Sequence, residues 1–363
     1  RQMATKRKMW RVIQVSALLI VIAGLASGAA LGYWSTASPE KTCLSCHEIS
    51  DAYESWTESS HRLIECKFCH GTALSGGLHS LAEKGRMVLG HVRGMEADNI
   101  GVGEAERLDI MDRCKSCHER DYADWIAGGH SLGYADVFLN ETHNREEQIA
   151  GGCLKCHGMF FEGEVADIVA PLDIQGPWTL RDAALGPRPA IPCFACHQFH
   201  APGTIAVRPD YANPKRIGAA RESRAPRVGF YYRWEDLFLP AEALPELQLW
   251  EGDREVLVSH DGRQRVCIQC HAPDTYHQAG TSDDRTPRGV HEGLSCLACH
   301  EAHSHETAAS CDACHPGVSN CGLDVKGMDT TFKNPDSGNN IHFVQCADCH
   351  EPDFLTAQGR MDP

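Results

Sequence analysis

One five-residue pattern, two cysteines separated by any two residues and followed directly by histidine, recurs nine times along the 363-residue chain. The copies open at Cys43, Cys66, Cys114, Cys153, Cys193, Cys267, Cys296, Cys311 and Cys346. Their second cysteines are Cys46, Cys69, Cys117, Cys156, Cys196, Cys270, Cys299, Cys314 and Cys349. They close on His47, His70, His118, His157, His197, His271, His300, His315 and His350. Eighteen of the 19 cysteines are used in this way, and Cys321 is left over, either as a small buried residue or as a thiol that bonds a partner or touches a cofactor.

Three chemistries use paired cysteines. Zinc knuckles have no reason to set a histidine immediately after the second cysteine, and here it stands there nine times. Disulfides within the pairs would close only tiny loops and would leave the histidines unexplained. Covalent haem explains both residue types: two thiols three apart form thioethers to the vinyl groups, and the next residue offers an imidazole to the iron. The expectation is nine covalently bound haem c groups, with the nine motif histidines as proximal iron ligands.

Twelve histidines remain for the far side of the irons. A second histidine closes the iron and suits electron transfer, whereas small-molecule catalysis needs an open position. Two settings repeat: Tyr53-x-x-Trp56-x4-His61 and Tyr122-x-x-Trp125-x4-His130. His291 and His342 stand shortly before a motif, and His200 and His303 follow a motif histidine by three residues. With His143, these form the leading distal set: His61, His130, His143, His200, His291, His303 and His342. His79 and His91 fall on an expected helix marked by Leu78, Leu81, Gly85, Val88 and Val92, and form a weaker set with His260, His277 and His305. His303 follows His300 too closely to reach the opposite face of the same iron, so it is expected to serve a neighbouring haem.

Residues 12–34 carry no charge over 23 positions, about 35 Å as a helix, enough to cross a bilayer. Arg1, Lys6, Arg7, Lys8 and Arg11 precede this run and Tyr33-Trp34 closes it. That asymmetry predicts a single-pass anchor in a bacterial inner (cytoplasmic) membrane, N-terminus in the cytoplasm and haem region on the periplasmic side. A cleaved signal peptide is the competing reading, with Ser35-Thr36-Ala37 as its cleavage site. Gly24, Gly28 and Gly32 repeat at four-residue spacing, a pattern that allows close approach of a second membrane helix.

The fold class expected is mainly α, a haem-supported multihaem cytochrome c fold with little β-sheet behind a single N-terminal transmembrane helix. So many macrocycles in so short a chain supply much of the buried apolar surface themselves. Motif spacing divides the chain into an N-terminus and anchor over 1–36, a five-haem region over 37–205, a haem-free wrapping loop over 206–262 and a four-haem region over 263–363. The formal charge of −15 argues against a nucleic-acid partner. Haem propionates take it to about −24 in the oxidised protein, which would steer a basic redox partner.

The stretch CLSCHEISDAYESWTESSH…CKFCH directly behind one anchor resembles the membrane-bound quinol dehydrogenases of the NapC/NirT type. The likeness covers about the first 100 residues. It implies electrons taken from menaquinol at the membrane, passed along haems to a periplasmic redox protein, with His61 as a distal ligand. Some members place a methionine haem ligand two residues after the first motif histidine, where this chain has Ile49. The family is usually tetrahaem, and the remaining motifs look similar to larger multihaem cytochromes.

The expected function is therefore a membrane-anchored nonahaem cytochrome relaying electrons between the quinone pool, or a membrane-bound partner, and an extracytoplasmic acceptor. The alternative is a multihaem enzyme acting on a small nitrogen or sulfur compound at one five-coordinate haem. Direct quinol oxidation would need a proton acceptor near the first haem, for which Glu48, Asp51, Glu83 and Lys84 are candidates.

Overall fold

The computed structural model describes residues 2–44, 46–72, 77–94, 102–200, 228–246, 248–271, 286–304, 337 and 340–349, the side chains of 2–8, 77–84, 346 and 349 excepted. The described chain is mainly helical with little strand. It forms two compact units, one of residues 1–55 with 62–113, the other of residues 56–61 with 114–363. The division falls at Cys114, inside the stretch expected to hold five haems, and the first unit contains the first two motifs.

In the first unit, α1 (Gln2–Thr36) contains one helix segment, Met9–Thr36, long and apolar enough to cross a membrane. The uncharged run over 12–34 lies within it, and its side chains are mostly exposed, with Leu31, Trp34 and Ser35 partly covered near its end. Ser38 then precedes α2 (Pro39–Thr42), where proline sits at the position that needs no amide donor. Helix α3 (Ser50–Glu58) follows the first motif, and α4 (Cys66–His70) is the second motif itself. The expected helix around His79 and His91 is present as α5 (Gly77–Val92), although Val88 and Val92 on its apolar face are exposed. Helix α6 (Glu104–Cys114) leads into the third motif, and its Arg113 donates to the Cys69 carbonyl.

Lys67, between the cysteines of α4, donates through Nζ to the Trp34 carbonyl at 2.6 Å and to the Ala37 carbonyl. The last carbonyls of a helix have no partner within it and carry its negative dipole end, so a lysine there is doubly favoured. The second motif is thus fastened to the end of the apolar helix.

The second unit opens with α7 (Glu119–Ala127), followed by α8 (Tyr134–Phe138), α9 (Glu141–Glu146) and α10 (Val165–Ile168). Strands β1 (Val169–Ala170) and β2 (Thr179–Leu180) pair antiparallel, Val169 opposite Leu180. These elements bury a cluster of Tyr134, Phe138, Leu154, Ile168, Val169, Trp178 and neighbours. A second cluster joins Met159, Phe160, Ala195, Phe230, Leu244 and Val266.

The aromatic run GFYYRWEDLF forms a hairpin, where a haem-free wrapping loop was expected. Strands β3 (Gly229–Tyr232) and β4 (Leu237–Pro240) pair from Gly229 with Pro240 to Tyr232 with Leu237. Phe230 enters the second cluster, and Tyr231 packs against it by stacking on Phe160 at 4.3 Å. A second hairpin, β5 (Leu249–Glu251) with β6 (Arg254–Val256), turns through Gly252 at φ 61°. The motif helices α11 (Gln264–His271), α12 (Cys296–Cys299) and α13 (Cys346–Cys349) complete the described elements. Residues 206–227 of the expected loop lie outside the described residues.

Candidate haem sites

The motif is one helical turn long, and the chain folds it that way. The histidine amide donates back to the carbonyl of the first cysteine in four copies: His118 to Cys114 at 2.8 Å, His157 to Cys153 at 2.9 Å, His197 to Cys193 at 3.0 Å and His300 to Cys296 at 2.9 Å. Closing that turn brings both sulfurs and the imidazole to one side of the backbone, the arrangement a covalently held porphyrin requires.

Across from five motif histidines the fold sets a second histidine. Ring centres lie 5.6 Å apart for His47 and His91, 6.2 Å for His118 and His61, and 6.0 Å for His271 and His130. They lie 5.8 Å apart for His197 and His303, and 6.2 Å for His300 and His342. Two metal–imidazole bonds of about 2 Å each, with the ring radii, put opposed ligand rings roughly 6 Å apart. Edge-to-face contact between free rings falls in the same range, so distance alone does not discriminate. Each of the five couples joins one motif histidine to one histidine outside the motifs.

Local structure explains why some of these distal residues are where they are. After α3 the Trp56 indole donates to the His61 carbonyl at 3.0 Å, the Ser59 hydroxyl to the Trp56 carbonyl at 2.8 Å, and the His61 amide to Ser59 Oγ at 3.1 Å. The tryptophan thus fixes the turn that carries the histidine. In the second copy the buried Trp125 ends α7, its carbonyl accepts from the Gly128 amide at 3.0 Å, and His130 follows in a single tight turn. His342 arrives by pairing of chain segments: Arg288 donates to the His342 carbonyl at 2.7 Å and Val290 to the Val344 carbonyl at 2.9 Å. A side chain on Gly289, at φ 63°, would collide with the Val344 carbonyl, so that crossing needs glycine.

The chemical state of these groups suits iron. Burial holds His130 and His300 below the ordinary histidine value, keeping both imidazoles neutral near pH 7 and able to donate a lone pair to a metal. His342 Nδ1 lies 3.1 Å from Asn340 Oδ1 and His91 Nδ1 contacts Glu48 Oε1, which leaves Nε2 of each ring to face outward. Burial pushes the Cys193 and Cys196 thiols up to about 12, surroundings fit for a neutral thioether sulfur and poor for a thiolate.

The thiols also show which motifs adjoin. Within the first unit Cys66 lies beside Cys43. Within the second, Cys193 lies beside Cys114, Cys196 beside Cys267, and Cys270 shares a hydrogen bond with Cys156, as Cys296 does with Cys267. Spatial neighbours therefore run from the third motif to the fifth, sixth and seventh, with the fourth beside the sixth. Sequence order is not followed.

Of the other expected ligands, His143 is exposed on α9, and His260 is exposed beside an open cleft lined by Glu255, Arg265 and Ile268. Neither is brought opposite a motif histidine among the described residues. His291 Nδ1 lies 3.4 Å from the Ile341 carbonyl, and His200 ends the described stretch before residue 201. His277, His305, Cys311, Cys314, His315, Cys321 and His350 lie outside the described residues, as do the side chains of His79, Glu83, Lys84, Cys346 and Cys349. Asp51 is exposed. Glu48 is mostly buried, and its own amide and His91 hold its carboxyl below the usual glutamate value.

Glu48 also stands 3.7 Å from His47 Nε2, so a carboxylate accompanies both rings of the first pair. Sequence reasoning reached Glu48 as a proton acceptor, not as a partner of His91. No protein-family model, curated protein or solved structure matches the chain.

Proposed function

We propose that the chain is a membrane-anchored c-type cytochrome that carries nine haems and relays electrons between the membrane quinone pool, or a membrane-bound partner, and an extracytoplasmic acceptor. The observation that carries this reading is the pairing of motif with non-motif histidines in five places at ligand spacing. Haem, when bound, supplies a one-electron carrier whose potential follows its axial ligands and surroundings. The chain would hold each group by two sulfurs and one motif imidazole, and would close five irons with His91, His61, His303, His130 and His342.

Closed irons favour relay over catalysis, because a small substrate finds no open position. Adjoining thiols on neighbouring motifs support the same reading, since they would bring haem edges together. The apolar helix α1, with basic residues before it, supports an anchor whose N-terminus is cytoplasmic. Lys67 would then keep the second motif at the membrane surface.

Haem content by pyridine haemochromogen and low-temperature EPR of the oxidised protein test this reading together. Nine haems per chain with low-spin signals only are expected. A haem-free protein would refute the reading. A high-spin signal integrating to one haem per chain would transfer it to a multihaem reductase or oxidase. Reduction by a menaquinol analogue separates direct quinol oxidation from a relay fed by another subunit.

A further inference from the structure

We infer that Asp121 is a positioning residue shared by two haem sites, its single carboxylate holding the Nδ1 edges of two ligand histidines, His118 and His303. This rests on the haem reading above. Asp121 stands in the first turn of α7, three residues beyond His118. Its Oδ2 lies 3.4 Å from His118 Nδ1, and its Oδ1 lies 3.5 Å from His303 Nδ1. The two oxygens thus serve two rings that belong to different couples, His118 with His61 and His303 with His197.

A metal-bound imidazole usually donates its other ring N–H to a carboxylate or carbonyl, which fixes the tautomer, aims the free nitrogen at the metal and makes it more basic. Asp121 stands where it can take that role twice, at hydrogen-bond distance from His118 Nδ1 and at ion-pair distance from His303 Nδ1. His118 is a proximal residue from the third motif, whereas His303 reaches back from beyond the seventh to serve the fifth. The third and fifth motifs also adjoin through Cys114 and Cys193. One negative charge against both ligands favours the ferric over the ferrous state at both centres, so the two potentials are lowered together by one side chain.

The test is a haem-resolved redox titration of the full-length, detergent-solubilised protein, comparing Asp121→Asn with Asp124→Asn. Asp124 lies on the same helix with its carboxylate 3.7 Å from Arg120, and its substitution removes the same charge without touching a ligand. In Asp121→Asn two midpoints should rise, each by about tenfold in ferric preference, which is about 59 mV for one electron. The EPR signals of the same two haems should shift, and Asp121→Glu should restore part of both effects. A single displaced midpoint, or none beyond the Asp124→Asn control, would overturn the inference. Haem content of the same samples keeps the two ideas apart: loss of all haem from the unmodified protein sinks both, while nine haems with unmoved midpoints sink only this one.

Discussion

At the scale of the residue, several positions tolerate one chemistry only. Gly158 follows the fourth motif at φ 83°, and an added Cβ would stand 2.9 Å from the hydroxyl of the fully buried Tyr134. Gly158→Ala should therefore cost roughly 1–3 kcal/mol, seen as a lower midpoint in thermal unfolding. Glu292 accepts from Arg254 Nη1 at 2.7 Å and from the Leu257 amide at 2.8 Å, and these hold its carboxyl below the ordinary glutamate value. A depressed carboxyl stabilises the fold above the unfolded value of about 4.3 and loses that contribution as pH falls through the folded value. Glu292→Gln should lower the melting temperature at neutral pH and flatten its fall below about pH 4.3, as read from melting temperature against pH. The nine motif histidines could be singled out as candidate ligands from sequence because each is marked by the cysteine beside it. Asp121 could not, because its second partner, His303, lies 182 positions away and meets it only in the fold.

At the scale of the element, local patterns were read well and their partners poorly. An apolar run of sufficient length specifies α1, and one turn specifies each motif, so both could be foreseen without tertiary contacts. The hairpin β3–β4 was hidden inside a stretch dominated by a Pro-, Ala- and Gly-rich beginning, and its inward face became evident only with Phe230 in the second cluster. Likewise His91 stood only in the weaker set of candidate ligands, since nothing in α5 announces that His47 faces it. Two predictions belong here. Removing residues 1–36 should release the protein from membranes into the soluble fraction, measured by fractionation. Lys67→Met removes charged hydrogen bonds worth about 1.5–3 kcal/mol each at most and should raise amide exchange around residues 34–42 and 66–70, with haem content unchanged.

At the scale of the whole molecule, the histidines set opposite motif histidines come from far along the chain. His342 faces the seventh motif, His303 the fifth, His130 the sixth and His61 the third. His303→Ala and His342→Ala should each convert one low-spin ferric haem to high spin, counted by EPR, and leave the other eight unaltered. Composition and motif count were enough to frame the reading of a chain organised by cofactors. They were silent on which segment crosses to which, since any of twelve spare histidines satisfied the arithmetic.

This crossing has a consequence for how the molecule is made. In the proposed cytochrome, a chain delivered outward from the residues just behind the anchor onward presents His197 long before His303, and His300 before His342. Each such centre would spend its early life half-coordinated, exchanging with water or stray ligands, until a later stretch of chain arrives to lace it shut. Maturation would then finish from the C-terminal side, and a protein cut short there would lose closure at centres whose own attachment motifs are intact.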